Sequence, residues 1–360
     1  MIASGWVTGF FLYDVAEAID LDAVGRLISS TPARMAPKPP APPYVQYAQP
    51  PVAIDGRAID LPLLDGWQVR FKAFAYGVVS LALTRPLPGT WEDVRRLAER
   101  WHDDAELAQK AEAACRALVE RVRPALDKPR TEFLSEDYLV FVVTDMPGAA
   151  TADAILDAHG ATLAQVLRGE REPLSPQERD EVLRHRISYL TTDLVVPTWS
   201  AAFVYDTEAG AHGVLEILEF ANSQLLEFRY YDQLLDARLA RIYAELERPR
   251  SVGGWFGRRF TRAARQVHSL FIDVNALTDK TENALKIAGD VYAARLFTLV
   301  AARLGLEQWK ANVREKLQTL DDIYRFAVEQ TSMARGELLE LAIVGILVFE
   351  LVLFFLGIMR

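Results

Sequence analysis

Apolar and polar positions change period once along this chain, near residue 210. Before it, short runs of aromatic and β-branched residues alternate with helical stretches. Beyond it, the three- and four-residue steps of helices run on with few breaks. Trp6 to Val15 and Glu136 to Thr144 predict strands, and Trp67 to Leu83 predicts two more with Gly77 near the turn. Asp20 caps a short helix carrying Leu21, Val24, Leu27 and Ile28. Thr90, with Asp93 at the third helical position, opens a longer helix to Val122, which Pro124 ends. The resulting order, β-α-β-β-α-β, is that of a ferredoxin-like split βαβ arrangement. Thr151 to Arg186 reads as polar helix, with Ser175, Pro176 and Glu178 forming a start signal. Ile187 to Tyr205 reads as strand broken at Pro197, completing the sheet.

From Gly213, the residues Leu218, Ala221, Leu225, Phe228, Leu235, Leu239, Ile242 and Leu246 recur at coiled-coil spacing, with Asp232 in one slot. Residues 249–257 break the helix. A second helix is predicted from Thr261 to Leu304, Gly305 is a joint, and a third stripe carries Leu306, Trp309, Val313, Leu317, Leu320, Tyr324 and Ala327. From Leu341 to Met359 every side chain but Glu350 is apolar or glycine. As a helix that run spans roughly 28 Å, close to the ~30 Å hydrocarbon core of a bilayer. The expected architecture is therefore α+β. A mixed-sheet domain over residues 1–210 includes a proline-rich loop at 31–51. A long-helix antiparallel coiled-coil stalk follows over 213–337, then one transmembrane helix over 338–360. The competing reading of the tail is a buried core helix or a dimer seam.

Composition narrows the chemistry. A formal net charge of −9 over 360 residues argues against a nucleic-acid binder. The single cysteine, Cys115, excludes an intrachain disulfide and a Cys-based zinc site within one chain. No secretory leader stands at the N-terminus, so the bulk of the chain is expected in the cytoplasm, with the basic residues before the tail on the same side. The five histidines are scattered, and no metal-ligand spacing, P-loop, dinucleotide fingerprint or nucleophile elbow occurs. We expect no catalytic residues, no metal and no cofactor.

Three groups of polar residues remain. Glu219, Asn222, Arg229 and Asp232 lie in the densest polar cluster of the 213–248 helix. They define either a ligand site facing the first domain or ordinary helix-surface pairing with a polar register position at Asp232. Arg250, Trp255, Phe256, Arg258 and Arg259 combine cations with interfacial aromatics, as an anionic membrane surface would require. A solvated hinge and an RNA contact are the other readings. Glu350, near mid-membrane, should face protein, in a homo-oligomer or against a partner membrane protein.

The tail adds a family likeness. Glu340, the apolar run from Leu341-Ala342, and Phe349-Glu350 resemble the acid–apolar–acid anchor of the required-for-meiotic-nuclear-division (Rmd1-type) proteins. Phe74-Ala75-Tyr76-Gly77-Val78-Val79 is similar to an early strand of that family, and Val313 to Tyr324 to its terminal coiled coil. The helix from Gly213 departs from the family pattern. The resemblance implies a membrane-anchored protein without catalytic residues. The expectation is a C-terminally anchored, non-enzymatic scaffold or adaptor. The alternative is an enzyme or small-ligand sensor with its site between the α+β domain and the 213–248 helix.

Overall fold

Strand β1, Ser4–Asp14, sits inside the sheet and pairs antiparallel on both sides, with β5 (Val78–Pro86) and β7 (Leu134–Asp145). A computed structural model describes residues 2, 4–29, 49–58, 66–87, 89–148, 151–246 and 291–355; side chains 29, 58, 102–103, 245–246, 324, 326–342 and 349–355 lie outside that description. Two compact units result. Unit 1 comprises Met1–Tyr230 with Leu277–Lys310, and unit 2 comprises Tyr231–Ala276 with Ala311–Arg360.

In unit 1, β3 (Val52–Asp55), β4 (Gln68–Ala73), β8 (Leu194–Pro197) and β9 (Ala201–Tyr205) extend this core to a seven-stranded sheet of order β3-β4-β5-β1-β7-β9-β8. All pairings are antiparallel except β7 with β9. Strands β1 and β4 thus run parallel with β5 between them, and β5 and β7 run parallel with β1 between them. That is split βαβ connectivity, with β3 added at one edge and β9-β8 at the other. A small pair, β2 (Ala18–Ile19) with β6 (Leu126–Asp127), lies apart. The sheet domain with helices later is the α+β class expected. Strand β3, directly after the proline-rich stretch, is not among the predicted strands.

Alternation divides the sheet into two buried faces. Val7, Phe11 and Tyr13 of β1, with Leu81, Leu83, Leu139, Phe141 and Phe203, belong to one apolar core. Helices α1 (Leu21–Ser29), α2 (Trp91–Asp103), α3 (Ala105–Val122), α4 (Ala152–Arg168) and α5 (Pro176–Arg184) contribute to the same core. The opposite residues, Phe10, Leu12, Ala82, Tyr138, Val140, Val142 and Val204, are equally buried. They lie on the side of α6 (Glu208–Leu246) up to Tyr230 and of α7 (Val291–Arg303), joined through Phe220 and Phe297 at 6.0 Å.

The helix expected over Thr90–Val122 is two helices. Thr90 caps α2 as read, its hydroxyl accepting from the Asp93 amide. Asp104 then leaves helical angles (φ −83°, ψ 69°), and its carboxylate accepts from the Leu107 amide to start α3. An aspartate that satisfies a new helix's free amides competes with continuing the old one. Helix α6 begins at Glu208, earlier than Gly213, because Thr207 supplies a hydroxyl for the Gly210 amide.

Unit 2 contains the remainder of α6 and most of α8 (Leu306–Phe355), with Leu235, Val313, Leu317 and Leu320 buried. Lys316 lies 2.7 Å from both Asp232 and Asp236. An antiparallel coiled-coil stalk is not shown, since residues 247–290 lie outside the described ones. Among the described residues no helix is long and apolar enough to cross a membrane. Most side chains of the expected 338–360 anchor, Glu350 among them, lie outside the description.

Candidate functional site

Helix α6 carries the chain's polar cluster into the second core. Gly213 to Phe228 is buried on nearly every side, so its polar residues need internal partners. Lys72 of β4 provides the main one. Its ammonium is 2.8 Å from Glu216 Oε1 and also bonds Glu219. Burial works against the charge on Glu219, but Lys72 and then Arg70 outweigh it and hold the carboxyl below its usual range. One turn on, the Tyr76 hydroxyl lies 2.6 Å from the Ser223 hydroxyl, and burial pushes its phenol well up. Asn222 donates to the Leu218 carbonyl at 2.9 Å, while its own carbonyl oxygen lacks a hydrogen bond among the described residues.

A second charged group stands farther along α6. Arg229 pairs with Glu136 of β7. Asp14, at the end of β1, is wholly buried and lies 2.6 Å from Arg130, whose guanidinium sits 3.6 Å over the Tyr230 ring. Burial raises the Asp14 carboxyl to about 6, against the pull of Arg130.

A cavity among the described residues lies elsewhere, at the first turns of α6. It is a cleft of about 590 Å³. Its floor is the outer end of the sheet's second face, with Trp6 and Thr8 of β1, Thr84 of β5, and Gln68 and Arg70 of β4. Its wall is Glu208, His212 and Leu215, which share one side of α6. Thr8 and Thr84 are register partners with hydroxyls 3.0 Å apart, and the Trp6 and His212 rings lie 5.6 Å apart. The sheet floor changes here from Phe10 and Ala82 to threonine, glutamine and arginine, so the apolar packing of helix on sheet seen farther along is interrupted.

The four residues singled out on α6 therefore separate. Glu219 and Asn222 are 1% and 0% exposed, Arg229 is committed to Glu136, and Asp232 belongs to unit 2 with Lys316. None of the four lines the cleft. Arg250, Trp255, Phe256, Arg258 and Arg259 lie outside the described residues, as does the side chain of Glu350. Among the described residues no three His, Cys, Asp or Glu side chains could hold a metal ion. Sequence reading missed Lys72, Arg70, Asp14, Arg130 and Trp6. The alternation Gln68-Arg70-Lys72 was a usable signal, because it gives one face of a sheet strand three polar residues that need partners. Only the partner element was invisible.

A mixed seven-stranded sheet covered by helices on both faces defines a class by fold alone. The chain belongs to the family of the N-terminal domain of the uncharacterized protein MJ0711, which matches residues 4–212. That span holds the whole sheet, the helices of its first face and all of the cleft residues named above except Leu215. The chain is similar to uncharacterized protein MJ0711 of Methanocaldococcus jannaschii, at 23% identity over 236 residues, covering 66% of this chain and 71% of that one. No solved structure matches. The match gives an uncharacterized family and says nothing of Rmd1-type proteins or of membrane anchoring.

Proposed function

We propose that the chain is a non-enzymatic scaffold or adaptor, held at a membrane by its C-terminal helix, with the α+β unit on the cytoplasmic side. One observation carries the reading. Near its end α8 exposes Ile343, Val344, Ile346, Leu347 and Val348, each between 53% and 59% accessible. A continuous aliphatic run of this kind is costly in water and needs lipid or protein around it. The run continues in sequence to Met359, and the likeness of the tail to the Rmd1-type anchor supports lipid. Glu350 then faces a second copy or a partner membrane protein, and the basic aromatic stretch Arg250 to Arg259 contacts anionic headgroups.

The competing reading, a ligand pocket built from Glu219, Asn222 and Arg229, draws less support, because Glu219 and Arg229 pair with Lys72 and Glu136 of the sheet and Asn222 bonds the Leu218 carbonyl of its own helix. Alkaline extraction of membranes from cells making the full chain tests the anchor. The protein should stay in the membrane pellet, and Ile346→Asp with Leu347→Asp should release it, since each acid costs about 3 kcal/mol at a helix centre. Complete extraction of the unaltered protein would remove the proposal.

A further inference from the structure

Strand β4 turns Gln68, Arg70 and Lys72 toward α6. Lys72 is neutralised by Glu216 and Glu219. Arg70, on the same face two residues earlier, lines the cleft; its guanidinium acts on the Glu219 charge through space and makes no side-chain hydrogen bond or ion pair among the described residues. The neighbouring Arg57 is already committed, bonding Asp55 through Nε and Nη2 at 3.3 and 3.2 Å. Arg85, the third arginine of the lining, stacks 4.4 Å over the Trp67 ring. On the face turned to α6 the cleft thus offers the Arg70 guanidinium, a geometry that matches phosphate oxygens in pairs.

The surroundings of Arg70 fit the rest of a ligand. Gln68, Thr84 and Thr8 form one register row across β4, β5 and β1, supplying an amide and two hydroxyls beside the guanidinium. Since Thr8 and Thr84 share one hydrogen bond, one hydroxyl proton of the pair remains for a ligand. Beyond this row Trp6 presents a half-buried indole. His212 Nδ1 donates to the Glu208 carbonyl at 2.7 Å, which sets the tautomer and leaves Nε2. The Glu208 carboxylate is of the kind that accepts from ribose hydroxyls. A volume of about 590 Å³ lies within the range of small-molecule sites.

We propose that this cleft binds a nucleoside monophosphate, with the phosphate on Arg70, Gln68 and the threonine pair and the base against Trp6. The scaffold would then carry a small-molecule site in its α+β unit, a role independent of the tail. The site requires no metal and no chemical step.

The test uses the full chain in nonionic detergent, titrated with AMP, GMP, CMP and UMP while heat and tryptophan fluorescence are followed. Adenosine and inorganic phosphate serve as the two halves of the ligand. At least one nucleotide should bind with Kd below about 1 mM, and each half should bind at least about tenfold more weakly. Arg70→Gln should weaken the nucleotide roughly 10- to 100-fold by removing charge-assisted bonds. Trp6→Leu should weaken it at least about fivefold by removing the stacking surface. Both variants should still give a single cooperative melt above the temperature of the titration, so that weakened binding is not unfolding. Should Trp6→Leu fail to fold, Arg70→Gln decides alone. Failure of all four nucleotides to bind below about 1 mM, unchanged binding in a folded variant, or a half-ligand binding as tightly as the whole would each overturn the proposal.

Discussion

Lys72 and Glu219 are 147 positions apart in the chain, yet their side chains form an ion pair inside the second core, where they are 4% and 1% exposed. The pair ties β4 to α6 at one register. A shift or rotation of the helix that carried both Glu216 and Glu219 away would leave a buried ammonium without a partner, a state that costs several kcal/mol. Either partner alone is therefore a liability, and the two together fix where the helix lies.

Removing one partner should cost more than removing both. Lys72→Met leaves Glu219 buried with its charge uncompensated, and we expect a loss of about 3–5 kcal/mol. Adding Glu219→Leu should recover most of that loss, although Glu216 keeps some residual penalty. Denaturant melts of both single variants and the double variant measure the coupling, and additive losses would show that the pair does not act as a unit.

Asp14 gives the opposite pH dependence to an ordinary paired carboxylate. Its folded-state value, about 6, lies above its ordinary 3.8. Between these values the folded chain holds a proton that the unfolded chain has released, so the contribution of Asp14 to stability is full below about pH 4 and is lost as pH rises through about 6. Relative to Asp14→Asn, the parent should lose up to about 3 kcal/mol across that window. Glu219, held below its usual range, acts oppositely, with stability present above about pH 4 and lost as pH falls below it. Melting temperatures of the parent and Asp14→Asn from pH 4 to 7 separate the two. A constant difference would refute the assignment to Asp14.

Gly9 is present in β1 because the Trp101 ring lies directly on its backbone, and any Cβ there would collide with the indole. Trp101 in turn donates to Asp137 at 3.1 Å and packs 5.1 Å from Phe11. Gly9→Ala should destabilise unit 1 by about 1–3 kcal/mol, the range for overpacking a filled core. The tryptophan emission should shift as well. An unchanged melt would mean that the ring can move aside without cost.

Cys115 is wholly buried on α3, and burial pushes its thiol well up. The thiolate is the reactive form, so the folded chain should not react with a disulfide reagent near neutral pH. One thiol per chain should appear on denaturation, making its rate of appearance a readout of opening of the first core. Rapid labelling without denaturant would show that α3 opens locally.

Much of the fold was legible because strands and helices announce themselves through local period. Val7, Phe11 and Tyr13 alternate with Phe10 and Leu12 as a strand buried on both faces must, and Thr90 and Ser175 mark helix starts that the backbone uses. The break at Asp104 was harder to see, because the apolar spacing continues across it and only the competition of one carboxylate for the Leu107 amide decides it. The polar cluster on α6 was visible as a cluster, but its meaning was not. Glu219 reads as a helix-surface acid until β4 places Lys72 against it.

What the sequence determined by itself is what depends on near neighbours. This covers the strand and helix periods, the caps, the turn at Gly77, the long apolar run of the tail and the absence of paired cysteines. Tertiary structure alone decided which polar residues would meet. Coulomb attraction and desolvation act through space, and Lys72 with Glu216 and Glu219, Asp14 with Arg130, and the cleft around Arg70 are each assembled from separate elements.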